Sequence, residues 1–381
     1  MLEREAMAVL VWAKSVSYSR REAVLARAGS ALEVVLHPQA YTLILGEEGA
    51  ASVARNAGQA GAMLARLEKS GVRLIARGED GYPGRLMQTA RPPHVLFARG
   101  AGLDDTQAVA VVGTRRASAY GLRHTRRIAS ELAAAGVCVV SGLALGIDAA
   151  AHEGALDAGG RTIAVLGSGH DRMTPEANRE LMGRIIAGGG SVVTEYPMGM
   201  PPTRYSFLER NRIIAGLCQG VLVTEGARRS GAQSTANHAL DEGRDVFALP
   251  GDVDRVSAQL PNMLIAEGAA PVAGGAEILA YLSMTHVDIG RKGQKRRRSA
   301  RKGTAEEAKT EAPKPAAQAR PDAKLGEPEK KIADLLLTGD MDFDSLSEKT
   351  DIASDDLGAI LMMMELDGII EALPGLCYRR L

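Results

Sequence analysis

The chain has 381 residues, 45% of them hydrophobic, which suits two or three domains with a real apolar core. No run of 18 apolar residues occurs, so no membrane span is expected, and Met1-Leu2-Glu3-Arg4-Glu5 lacks the apolar segment and cleavage site of a secretory signal. Its 46 basic and 46 acidic residues cancel, yet they are segregated: residues 286–325 carry 12 basic and 5 acidic groups, and residues 326–381 carry 5 basic and 13 acidic, so partners must be read from the pieces.

Residues 1–70 place apolar positions at helical spacing in Ala6 to Ala13, Ala23 to Ala28 and Ala60 to Leu67, and read as a small helical domain. From there to residue 285 the pattern changes. Short β-rich runs alternate with helical segments: Val109 to Gly113, Val137 to Val140, Thr162 to Leu166, Ser191 to Glu195, Val221 to Glu225 and Asp245 to Leu249. Such alternation predicts an α/β fold with a parallel sheet covered on both faces. In these sheets ligands sit beyond the carboxyl ends of the strands. Here those ends break into Gly113-Thr114-Arg115, Ser141-Gly142 and Gly167-Ser168-Gly169, and a helix opens near Arg204, Phe207 and Arg210.

Cys138, Cys218 and Cys377 are odd in number and far apart, which fits a reducing, cytoplasmic setting better than a disulfide framework or a metal site. From Gly290 the composition shifts to a run with eight basic residues between Arg291 and Lys302, then to Ala, Pro, Lys and Glu. Residues 286–325 cannot bury enough apolar surface to offset their ordering entropy, and are expected to be a disordered linker. Two readings of the basic run stand: a solvated spacer, or a weak polyanion tether blind to sequence. Beyond it, Pro328 to Leu337, Phe343 to Glu348 and Ser354 to Leu366 predict three helices, and Ile369 to Arg379 a terminal hairpin. Residues 326–381 thus resemble a winged helix. Its would-be recognition segment carries Asp355, Asp356, Glu365 and Asp367, and four carboxylates oppose a phosphate-lined groove, so a protein-contact or regulatory role is favoured over DNA reading.

Enzyme signatures are missing where they would be expected. There is no Gly-x-Gly-x-x-Gly fingerprint, no Gly-Lys-Ser/Thr phosphate loop, no His-Glu-x-x-His pair and no Gly-x-Ser-x-Gly elbow. Asp148 and His152, four apart, could act as acid and base on one helix face. No activated nucleophile stands beside them, so a bracing role is favoured, with Asp148 capping its helix and His152 bonded to a neighbour. No catalysis and no cofactor are expected. The alternative is a nucleotide-binding enzyme or nucleotide-signal sensor using the same crevice.

Several stretches in this order carry a resemblance: Gly81-Tyr82-Pro83, Pro92 to Phe97, Val112-Gly113-Thr114-Arg115, Ser141-Gly142 through Asp148 with His152, Arg210-Asn211-Arg212, Ser230-Gly231 with Thr235-Ala236, and Leu249-Pro250-Gly251. Together they resemble the DNA-processing protein A family (DprA, also called Smf) over most of Gly71 to Val272. The resemblance implies an extended Rossmann-like core at residues 71–285, preceded by a SAM-like helical domain. It implies single-stranded DNA as ligand, RecA recombinase as the partner loaded on it during natural transformation, and a homodimer. The DNA-binding residues it suggests are Gly113, Thr114, Arg115, Ser118, Ser141, Gly142, Arg172, Arg204, Phe207 and Arg210. Cation and stacking ring, as in Arg204 with Phe207, are the usual means of holding a single strand without sequence preference. Asn211 and Arg212 are read as structural, with one arginine of the pair bracing a strand-end carboxylate such as Glu195 or Glu225.

The chain also departs from the family. Gly169 to Asn178 lacks a tyrosine common in relatives and has Glu176 where some carry lysine, so Arg172 or Arg179 is the candidate replacement for that charge. Leu260 stands in place of a usual glycine.

Overall fold

Alternating apolar runs and helices between Ala108 and Ala248 build the centre of a nine-stranded sheet. The computed structural model describes residues 1–103, 107–285, 326–337, 339–350, 352, 354–367, 369–373 and 377–381. The basic run at 291–302 and the rest of the expected linker lie outside the described residues, as do the side chains of Asp355 and Asp356.

The first helices are α1 (Glu3–Trp12), α2 (Tyr18–Ala28), α3 (Ala31–Leu36), α4 (Thr42–Leu45) and α5 (Glu47–Lys69). They enclose a core of Val9, Leu10, Val24, Val34, Leu45 and Val53. Hydroxyls start two of them: Ser17 accepts from the Arg20 amide and Ser30 from the Glu33 amide. The helices share one compact unit, Met1–Leu282, with the sheet. Trp12 stacks on Phe97 at 6.1 Å, and Leu67 and Val72 pack against the same ring, so apolar burial joins them to its edge.

The sheet begins with β1 (Arg73–Ala76), followed by α6 (Gly84–Met87) and β2 (Val95–Gly100). Then come β3 (Ala108–Val112), α7 (Ala119–Ala134), β4 (Cys138–Ser141), α8 (Ile147–Asp157), β5 (Thr162–Val165), α9 (Arg179–Ala187), β6 (Ser191–Thr194) and α10 (Arg204–Gly216). The remainder is β7 (Gly220–Val223), α11 (Gly231–Asp241), β8 (Asp245–Ala248), α12 (Gln259–Ala266), β9 (Ala270–Pro271) and α13 (Gly275–Thr285). Strand order is β1-β2-β6-β5-β4-β3-β7-β8-β9. The six strands read from sequence lie within one residue or two of their expected bounds, and all pair in parallel.

The sheet is mixed, however, because β2 runs antiparallel to both β1 and β6. Between β1 and β2 the chain holds only the four-residue α6 and the Pro92-Pro93 pair. It therefore lacks the covering helix that usually carries a parallel crossover. Central strands β3, β4 and β5 are buried on both faces, as a doubly covered sheet requires. Strand β3 has β4 on one side and β7 on the other, so successive connections diverge there and leave a crevice at its carboxyl end.

The second unit, Ser283–Leu381, contains α14 (Glu327–Leu336), β10 (Met341–Asp342), α15 (Phe343–Thr350), α16 (Ser354–Leu366), β11 (Ile370–Leu373) and β12 (Cys377–Arg380). Three helices and a three-stranded sheet of order β10-β12-β11 form a winged helix around Ile332, Leu336, Leu346, Leu357, Leu361 and Ile370. Glu365 and Asp367 are exposed at the end of α16.

Candidate nucleic-acid interface

Helix α10 starts with a reciprocal cap in which Thr203 accepts from the Ser206 amide at 2.9 Å and Ser206 accepts from the Thr203 amide at 2.9 Å. Ser206 also donates to the Gly167 carbonyl, which ties the helix start to the loop after β5. That anchor sets Phe207 against Gly167 with its ring half-buried, and leaves Arg204 exposed beside it. From the loop after β3, the exposed Arg115 reaches over the same ring, its guanidinium carbon 5.1 Å from the centroid. The fold thus joins a cation and an aromatic ring that are far apart in sequence.

Arg210, also expected at the ligand surface, is placed otherwise. It is buried, donates to the Gly142 and Val165 carbonyls, and lies 5.9 Å from the Phe207 centroid. Burial pushes its pKa down to about 10, against the opposing charge of Asp148, so it remains a cation at neutral pH. Its carbonyl partners sit at strand ends whose last acceptors would otherwise go unpaired.

Ser141 and Ser118 are likewise engaged within the protein. The fully buried Ser141 hydroxyl donates to the Val111 carbonyl at 2.7 Å. The Ser118 hydroxyl donates to Glu225 at 2.6 Å and caps α7 by accepting from the Gly121 amide. The close backbone approach expected at Gly113 and Gly142 is made with protein atoms. A Cβ on Gly113 would lie 2.7 Å from the Glu225 carbonyl oxygen, and one on Gly142 would strike the Arg210 guanidinium. Thr114 completes the turn, its amide donating to the Glu225 carbonyl at 2.8 Å and its hydroxyl accepting from the Arg116 amide.

Arg172 is more than half exposed in the turn after β5, 3.9 Å from Asp171, whose carboxylate is also held by Arg66 and the Gly199 amide. Arg179 is paired through two of its guanidinium nitrogens with Glu176, which leaves Arg172 as the less committed of the two candidate replacements. Arg228 and Arg229, exposed in the loop after β7, were not singled out from sequence. Their signal was a basic pair just past a strand end.

The bracing role of Asp148 and His152 is as expected in kind. Asp148 accepts from the Gly142 amide at 3.1 Å and the Ala144 amide at 3.4 Å, holding the glycine loop in place of capping its own helix. Burial raises its pKa, with Arg210 and the loop amides opposing. Arg212 pairs with Glu195, and Asn211 donates to the Gly231 carbonyl, so both are structural. Glu225 is held by the Ser118 and Ser257 hydroxyls, with no arginine paired to it among the described residues.

His152 Nδ1 contacts the Thr162 hydroxyl at 2.7 Å, and that hydroxyl donates to the Val139 carbonyl, so the imidazole is the donor. Its Nε2 has no partner among the described residues, and burial pushes its pKa down to about 3. The unfolded chain takes up this proton below about pH 6.5 while the folded chain refuses it, so stability is lost as pH falls. His152→Gln is expected to reduce the slope of unfolding free energy against pH by up to about 1.4 kcal/mol per unit between pH 6 and 4. Urea denaturation of parent and variant at four pH values measures this; equal slopes would contradict the buried neutral imidazole.

The profile described as DNA recombination-mediator protein A matches residues 73–283, and that of the DprA winged helix domain matches residues 313–375. Protein Smf of Escherichia coli is 43% identical over 221 residues, covering 58% of this chain and 59% of that protein. Protein Smf of Synechocystis is 36% identical over 321 residues, 81% of this chain and 80% of the relative. DNA processing protein DprA of Streptococcus pneumoniae is 43% identical over 203 residues, 53% and 71% of the two chains. Its X-ray structure superposes with a TM-score of 0.64 at 34% identity, covering 73% of this chain and 98% of that one. DNA processing protein A from Helicobacter pylori, solved for its single-stranded DNA binding mode, gives 0.51 at 30% identity, covering 57% and 98%. Sheet order, winged helix and these matches agree: the chain belongs to the DNA recombination-mediator protein A family, DprA/Smf.

Proposed function

We propose that this protein binds single-stranded DNA at the carboxyl ends of β3 to β5 and acts there as a non-catalytic recombination mediator. The observation that carries the reading is Arg115 set 5.1 Å over the half-buried Phe207, with exposed Arg204 beside it. A partly exposed ring can take the face of any base, and exposed guanidinium groups neutralise the phosphates on either side, so the cluster holds a strand without reading its sequence. Gly113, Thr114, Ser118, Ser141, Gly142 and Arg210 form the support of this surface, and Arg172 extends it. The Helicobacter pylori relative, solved for its single-strand binding mode, supports the same ligand class. Transfer of the strand to RecA recombinase in the cytoplasm, as a homodimer, is the finer reading that family membership supports.

The test compares a labelled single strand, the matching duplex and a mononucleotide. Affinity that rises with strand length and exceeds that for duplex agrees with the proposal; binding that saturates at one nucleotide points to a nucleotide sensor instead. Removal of residues 326–381 is expected to leave single-strand affinity unchanged or slightly raised, since that segment is strongly acidic and repels phosphate. A large loss of affinity on truncation, by fluorescence anisotropy, would assign DNA contact to the winged helix.

A further inference from the structure

We infer that the cleft between the ends of β3, β7 and β8 is a second nucleobase subsite, selective for a base with an exocyclic amino group. The inference rests on the single-strand reading above. The cleft has a volume of about 240 Å³ and is lined by Tyr120, Thr224, Glu225, Gly251, Asp252 and Arg255. That is below the size of pockets for drug-like ligands and suits a single ring system.

Its chemistry repeats the Arg115 and Phe207 pair across the switch point. Tyr120 is fixed by donating its hydroxyl to the Pro250 carbonyl at 2.9 Å and by His124, whose ring lies 4.4 Å away. Arg255 stands 5.8 Å from the Tyr120 centroid, at the outer limit of a cation–ring contact, and is half exposed, so it can swing aside for a base. The polar lining differs from that of the first site. Glu225 and Asp252 put two carboxylates here, which repel a phosphate and accept from an amino group such as cytosine N4. Asp252 is largely exposed and engaged only loosely, 3.3 Å from Arg255. Glu225 accepts from the Ser118 amide and from the Ser118 and Ser257 hydroxyls, three of about four lone-pair positions. Reach is no obstacle. Arg115 and Tyr120 are five residues apart, so their Cα atoms lie within about 18 Å, a span that a few nucleotides can cross.

The test uses the full chain and fluorescein-labelled oligomers of dC and dT of equal length. The parent is expected to favour dC by about five-fold, the worth of one hydrogen bond. Asp252→Ala should bring that ratio to one. Tyr120→Leu, which keeps the apolar packing, should weaken both oligomers by about ten-fold through lost stacking. A parent ratio of one, or affinities unmoved by Tyr120→Leu in a protein with parental melting, overturns the subsite. A parent that binds neither oligomer defeats the single-strand reading itself, whereas binding that depends on Phe207 and not on Tyr120 defeats only the second subsite. Equilibrium dialysis against dCMP separates the sources. Uptake abolished by Tyr120→Leu supports a free nucleotide as the source of the base, and the oligomer preference supports the strand.

Discussion

Phe207→Ala is expected to weaken single-stranded DNA binding by about 1–3 kcal/mol at every salt concentration, leaving the salt dependence unchanged. The ring offers a face and no charge, so its loss removes stacking without altering counterion release. Arg115→Ala should act in the other way, flattening the plot of log affinity against log salt by roughly 0.7 for the one phosphate it neutralises. Because Phe207 packs against Gly167, Phe207→Leu is the companion variant that retains the apolar contact and loses the stack. Circular dichroism and thermal melting establish that each protein is folded before binding is measured. If folded Arg115→Ala and Phe207→Leu proteins both bind like the parent, the strand lies elsewhere.

Arg210→Met is expected to cost about 1–3 kcal/mol of stability, the penalty for leaving buried acceptors without their donor. Two carbonyls, at Gly142 and Val165, lose their guanidinium donor, and the buried Asp148 loses a cation whose charge opposes the effect of its burial. Arg115→Ala, at an exposed residue over the same ring, should change stability by no more than about 0.5 kcal/mol. Urea unfolding separates the two: a cost below about 1 kcal/mol for Arg210→Met would show that the guanidinium does not brace the loop. Loss of DNA binding in that variant is expected to track loss of structure, whereas in Arg115→Ala it should not.

Much of the fold was legible because its signals are local. Short β-rich runs alternating with helical segments marked the six parallel strands, and three helical stretches between Pro328 and Leu366 followed by an apolar hairpin marked the winged helix. The antiparallel pair β1 and β2 was not read. The four-residue α6 between them is too short to serve as a covering crossover helix, and the direction of pairing depends on where Phe97 finds its cover against Trp12 and Leu67.

The candidate site divides along the same line. Sequence by itself determined which residues could serve: glycines at strand ends, hydroxyls at helix starts, and a ring beside arginines at the opening of α10. Tertiary structure decided which of them face solvent. Arg204, Arg210 and Arg212 belong to one helix, and only the packing of α10 against β5 and the Glu195 end of β6 sends Arg210 to the Gly142 carbonyl and Arg212 to Glu195 while leaving Arg204 exposed. Likewise Arg115 and Phe207 meet because the sheet order sets the end of β3 near that of β5, where Ser206 pins α10. The azimuth of a helix about its axis is set by what it packs on, and the partners of these side chains come from strands that are distant in the chain.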